Sequence, residues 1–244
     1  EFGAFPRASM NAAFKAAGEL APRWSAALEF AIGDSRFQRR ALGGSGRLVA
    51  AADRITEVDV NLSLGRNRAA ARGSLGRSGD RLAIDIDAPQ LEDSGAPVSG
   101  SLRAKGALGG AFASPGAELT LEARSIALPG GERIASADAR VNLGEGAEPA
   151  LDLALQARGL ANAQTELDAA QFTVRGTLAR HAIELSAKSR QVELTASAEG
   201  GWRDPFAPGG RWDGVAKSLQ NKGAYPWLLE RPVSLAIARG AVSL

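Results

Sequence analysis

A single histidine, His181, and no cysteine bound the chemistry open to this 244-residue chain. One imidazole without thiolates makes no recognisable zinc site. Ser/His/Asp catalysis would have to run through His181, and no G-x-S-x-G elbow presents a nucleophile. Its neighbours Arg180 and Glu184 point to a surface position. Asp85 and Asp87 lie two residues apart on one strand face, the arrangement a glycoside-cleaving carboxylate pair would need. They alternate with Ile84 and Ile86, however, as a solvent-facing edge does. Gly43-Gly44-Ser45-Gly46 resembles a phosphate loop only in glycine content, because no Lys-Ser/Thr follows and no helix opens there. Trp202, Trp212 and Trp227 suit a sugar-stacking platform or the cap of a core, and clustering near an irregular chain end favours the cap. The reading is a non-enzyme: no catalytic residue, no metal ligand, no cofactor.

The elements that carry these residues are strands. In Gly176 to Trp202, Ile183, Leu185 and Ala187 alternate with Glu184, Ser186 and Lys188. After a polar break at Lys188 to Gln191, Val192, Leu194, Ala196 and Ala198 alternate with Glu193, Thr195, Ser197 and Glu199. Successive strand side chains point to opposite faces, so each half has one apolar and one polar face. Trp24, Ala26, Leu28, Phe30 and Ile32 share a face, closed by Gly33-Asp34, and Gly43 to Gly46 reads as a turn cluster. Val58, Val60, Leu62 and Leu64 alternate with Asp59, Asn61 and Ser63; Leu82, Ile84 and Ile86 follow. Val98 to Leu108 is a glycine-interrupted strand, with a turn at Ser114-Pro115-Gly116. Leu119 and Leu121 open another unit, and Leu151, Leu153 and Leu155 the next. The lead positions Leu82, Leu119, Leu151 and Ile183 recur every 32 to 37 residues, a loose repeat of strand pairs. Beyond Trp202, a loop with Pro205, Pro208 and Trp212 is followed by short strands at Val215 to Leu219, Pro226 to Leu228 and Val233 to Ile237.

One segment reads differently. From Ser9 to Ala21, Met10, Ala13, Phe14, Ala17, Leu20 and Ala21 fit one face of a 3.6-residue period, with Ser9 as N-cap and Pro22 as stop. The expectation is a short helix covering a sheet edge. Residues 1–23 then form an N-terminal helical segment, whose opening Glu1-Phe2-Gly3 is consistent with a cloning remnant, and residues 24–244 form a single repetitive β domain.

Composition supports an all-β chain and excludes several classes. Net charge is +2 and the charges of both signs are interspersed, a solvated face and not a nucleic-acid footprint. No run of about 18 apolar residues spans a bilayer. Aromatics make up only 5% of the chain, and 29 glycines suit many turns. If every strand turns its apolar face inward, two sheets either interdigitate in a filled sandwich or fold over an open trough. Small inward residues such as Ala123, Ala157, Ala187, Ala196 and Ala198 favour the trough. Its lining would be Leu28, Phe30, Val60, Leu62, Leu64, Leu82, Ile84, Ile86, Leu119, Leu121, Leu151, Leu153, Leu155, Ile183, Leu185, Val192 and Leu194.

Gly73 to Leu91 (GSLGRSGDRLAIDIDAPQL), Gly100 to Leu128, Gly176 to Trp202, and the W-x-G with PWLLERPVSL between Trp212 and Leu235 are similar to the TamB family of Gram-negative bacteria. TamB is the translocation and assembly module subunit, within the AsmA-like, repeating-β-groove proteins. The resemblance runs from about Trp24 onward. It implies an elongated sheet folded like a taco around an apolar interior, in a periplasmic protein anchored in the inner membrane. It further implies phospholipid passage between the membranes, or assembly of outer-membrane β-barrels and autotransporters with a BamA-like barrel partner of the TamA type. The family brings no catalytic residue. On this reading the apolar lining shields acyl chains. The alternative is a scaffold that offers strand edges to unfolded barrel segments, and a third reading, a β-solenoid polysaccharide enzyme, requires an acidic cleft.

Overall fold

A computed structural model describes residues 8–21, 24–206, 209–238 and 241–243. Glu1 to Gly3, Pro22 and Pro208, assigned roles above, lie outside them. The chain divides into two compact units, Glu1–Pro115 with Leu121–Pro129, and Gly116–Thr120 with Gly130–Leu244. Both are antiparallel β, and the helix among the described residues is a single 3-10 turn, Leu91–Ser94.

The first unit contains β1 (Ala8–Ser9), β2 (Ala12–Glu19), β3 (Ser25–Phe37), β4 (Arg40–Ala51), β5 (Arg54–Leu64), β6 (Asn67–Leu75), β7 (Arg81–Ala88) and β8 (Ser99–Ala111). From β2 to β8 each strand pairs with the next in sequence, a meander. The turns are tight. Gln38 and Arg39 both take positive φ between β3 and β4, and Gly65 does so between β5 and β6, matching the right-handed strand twist that two-residue hairpins need.

The expected helix over Ser9 to Ala21 is corrected to strands β1 and β2. Ala12, Phe14, Ala16 and Gly18 alternate with Ala13, Lys15, Ala17 and Glu19, so this Ala-rich segment fits period two as well as 3.6. β3 supplies a ladder of backbone partners, with Phe14 opposite Phe30. That pairing outweighs a helix preference resting on alanine alone.

Two expected turns are also strand. Gly43 to Gly46 lies inside β4, and β3 continues past Gly33-Asp34 to Phe37 through a bulge between Ile32 and Ser35. A glycine within a strand often marks a place where a neighbour's bulk comes close. A Cβ on Gly46 would meet the Phe30 ring, and one on Gly44 would meet Leu62. The turn expected at Ser114 to Gly116 falls instead at Phe112-Ala113, since β9 (Ser114–Ala127) begins at Ser114.

The second unit is a meander of β10 (Arg133–Leu143), β11 (Ala150–Ala161), β12 (Glu166–Thr177), β13 (His181–Lys188), β14 (Glu193–Arg203) and β15 (Arg211–Asn221). β16 (Trp227–Leu228) and β17 (Val233–Ala238) both pair with β15, and β18 (Ala241–Ser243) pairs with β17.

Candidate functional site: the apolar faces

Cross-strand partners in an antiparallel sheet place their side chains on the same face. In the first unit, register therefore defines lateral rows. One runs Phe14, Phe30, Gly46, Val60, Ala71, Ile84, Gly106. The row on one side is Ala16, Leu28, Leu48, Val58, Gly73, Leu82, Leu108; on the other it is Ala12, Ile32, Gly44, Leu62, Ala69, Ile86, Ala104. No polar side chain interrupts these three rows.

The opposite face carries a ladder of alternating sign, Lys15, Glu29, Arg47, Asp59, Arg72. Arg47 is shared between Glu29 and Glu57, which raises its pKa, and Arg72 pairs with Asp59 at 3.0 Å. Asp85 and Asp87 are exposed on this face, where Lys105 and Arg103 neutralise them at 3.2 and 3.1 Å. They form a surface pair ladder, as their alternation implied.

The first unit's turns are clasped by buried carboxylates. Asp80 receives the Arg54 fork at 3.0 and 2.5 Å, Ser74 Oγ at 2.9 Å and the Arg77 amide at 3.0 Å. The Arg54 hydrogen bonds hold its carboxyl below the ordinary carboxylate value. Asp93, in the 3-10 turn, pairs with Arg40 at 2.9 Å and accepts the Arg66 amide at 3.3 Å.

The second unit repeats the two-faced plan. One row is Ala139, Leu155, Phe172, Leu185, Ala196, Leu219; the next is Val141, Leu153, Val174, Ile183, Ala198, Ala216, Val233. The third, Leu143, Leu151, Gly176, His181, Gly200, Gly214, Leu235, holds the histidine.

His181 is therefore not at the surface, as its sequence neighbours suggested, but 3% exposed on the apolar face. Gly176 and Gly200 flank it on the neighbouring strands, and Gly200 and Gly214 leave room for the ring of Trp212, also 3% exposed. Trp212 Nε1–H donates to His181 Nε2 at 2.8 Å. His181 Nδ1 lies 2.9 Å from the Thr177 carbonyl, which can only accept, so Nδ1 carries the proton and the ring is neutral. Both ring nitrogens are used, so the pair is a polar fastening.

Trp212 is buried and Trp202, its cross-strand partner, stays exposed beside it, whereas Trp227 lies apart, opposite Asn221, so the three do not form one cluster. The signal for His181 and Trp212 was glycine beside His181 on β12, β14 and β15, legible only once the pairing is known.

Of the expected lining residues, Leu28, Phe30, Val60, Leu62, Leu82, Ile84 and Ile86 share the three rows of the first unit. Leu151, Leu153, Leu155, Ile183 and Leu185 share those of the second. Leu64 sits opposite Leu42, and Leu194 opposite Ala187. Leu119 and Leu121 are half-buried on β9. Val192 precedes β14 in the turn, its amide bonded to Ser189 Oγ.

Trp212 apart, the large side chains on these faces are incompletely covered. Among the described residues none of the large ones is fully buried; Leu62 is 39% exposed, and the buried apolar residues are mostly alanines, with Val58, Val174 and Trp212.

The sequence matches the family model described as TamB, N-terminal domain, over residues 7–240. The chain belongs to the TamB family. No curated protein and no solved structure matches it. TamB-family proteins are cell-envelope proteins that span the periplasm, they associate with TamA in the outer membrane, and the family is not one of enzymes. Among the described residues no helix is long and apolar enough to cross a membrane, and no group of His, Asp and Glu could hold a metal ion.

Proposed function

We propose that this TamB-family chain is a periplasmic segment whose apolar faces shield phospholipid acyl chains on their way between the two membranes. The observation that carries the reading is the run of uninterrupted apolar rows whose large side chains keep part of their surface exposed. Residues that a filled sandwich would bury completely are left available to a hydrocarbon. A strand of eleven residues such as β5 is about 36 Å long, more than the roughly 15 Å of one leaflet's hydrocarbon. Each CH₂ laid on such a face gains about 0.8 kcal/mol wherever it lies, so a chain can shift by one group without a large barrier. The single lining over residues 24–244, and an inner-membrane anchor elsewhere in the protein, are parts of this proposal.

Photo-cross-linkers at Leu62, Leu153 and Leu185 in the full-length protein test it. Phospholipid adducts are expected from these sites and not from Asn61, Asp152 or Ser186 on the opposite faces. Equal labelling of both faces overturns the reading.

A second reading, strand donation to barrel precursors, draws support from β2, where every residue from Ala13 to Glu19 is exposed. Adducts to unfolded barrel protein from β2, with no lipid adducts from the rows, would replace the first reading.

A further inference from the structure

We propose that β2 is the seam of a two-fold dimer, pairing antiparallel with β2 of a second copy of this chain. Among the described residues β2 pairs with β3 alone, and every residue from Ala13 to Glu19 is exposed. The direction of its backbone groups follows from Asn11. The Asn11 carbonyl accepts the Gly33 amide at 3.1 Å, and its N–H donates to Ser35 Oγ at 2.7 Å. Asn11 and the odd positions after it therefore turn toward β3, while Ala12, Phe14, Ala16 and Gly18 turn their N–H and C=O groups to the open edge. Such an edge is a template for another strand.

Charge selects both the occupant and the register. Cross-strand partners share a face, so a two-fold antiparallel pair sets odd positions against odd and even against even. The charged side chains of β2 are Lys15 and Glu19, and neither makes an ion pair among the described residues. A two-fold centred on Ala17 places Lys15 against Glu19 of the second copy, and Glu19 against its Lys15. Centring on Lys15 or Glu19 sets like charges together, and centring on Ala16 or Gly18 leaves both charges opposite alanines. The same register sets Phe14, 58% exposed, against Leu20, 93% exposed. Both faces then continue across the seam. Glu19 of the second copy extends the alternating ladder of Lys15, Glu29 and Arg47, and its Leu20 extends the apolar row of Phe14 and Phe30. A strand of arbitrary sequence gains the backbone bonds alone, whereas a second copy gains the two ion pairs and the Phe14–Leu20 contacts as well. The seam is independent of what the apolar rows carry.

Oxidative cross-linking and sedimentation velocity of the 244-residue chain test the seam. The chain has no cysteine. Ala17→Cys stands on the two-fold, in a non-hydrogen-bonded pair with about 4.5 Å between Cα atoms, and should close a disulfide dimer. Ala13→Cys, off the axis, should not. The parent chain should dimerise reversibly as concentration rises. Lys15→Glu alone, or Glu19→Lys alone, sets like charges together at exposed positions and should weaken dimerisation about tenfold with folding intact by circular dichroism. Mixing the two variants should restore it as a heterodimer, because each then supplies the charge that the other lacks. Absence of the Ala17→Cys cross-link overturns the proposal, as does association indifferent to both charge reversals. A barrel precursor that occupies β2 and excludes the second copy overturns it equally.

Discussion

The two units build the same two-faced sheet and differ in what interrupts it. The three apolar rows of the first unit carry no polar side chain; its buried carboxylates, Asp80 and Asp93, lie at the turns, and its buried Ser35 lies at the bulge of β3. The second unit places its buried histidine within a row, bonds it to Trp212 and leaves Gly200 and Gly214 on two strands to accommodate the indole ring. The polar faces differ too. The first is a ladder of alternating charge, whereas the middle of the second is mostly uncharged, with Gln171, Thr173, Ser186, Thr195 and Ser197 around Glu184. Alternation thus fixes that a face is apolar, while the placing of glycine and bulk decides whether it stays open or is filled.

That contrast can be broken by substitution. Trp212→Ala removes the one large aromatic that is nearly fully buried among the described residues, and a loss of about 3–5 kcal/mol is expected in urea unfolding. Leu62→Ala, on the open face, should cost less than about 2 kcal/mol, since much of that side chain already meets solvent. Equal costs would mean that the two faces are filled alike. His181→Phe leaves the Trp212 N–H buried without its acceptor and should cost about 1–3 kcal/mol. Gly46→Val, whose Cβ would meet the Phe30 ring and Val60, should cost a similar 1–3 kcal/mol, roughly, through overpacking.

Acid should act on the clasp at the first unit's turn. The Asp80 carboxyl is held below its ordinary value of 3.8 in the fold. Its stabilisation is therefore complete above that value and lost as pH falls through the depressed one. The expected outcome is that Asp80→Asn is less stable than the parent at neutral pH and loses less on acidification; parallel acid curves would contradict this. The smallest effect is expected at Asp87→Asn, within about 0.5 kcal/mol, because its pair with Arg103 is exposed.

The strands were largely legible because alternation such as Val58 to Leu64 leaves little choice of period. The N-terminal strand was not, since alanine satisfies both periods and only its pairing partner decides. Gly43 to Gly46 read as a turn because glycine's role there depends on Phe30 and Leu62, distant in sequence and adjacent in space. His181 read as exposed because its sequence neighbours are charged, while the residues that enclose it come from other strands. Which side chains share a face was readable from parity; how much of each remains uncovered was not, since that depends on what lies across the face.

The most direct measurement is native mass spectrometry of the purified chain, with and without Leu153→Asp. The account predicts co-purified phospholipid on the parent protein and its loss from the variant, with folding intact by circular dichroism. A parent protein free of lipid even after incubation with phospholipid, or a variant that retains lipid in full, would contradict it.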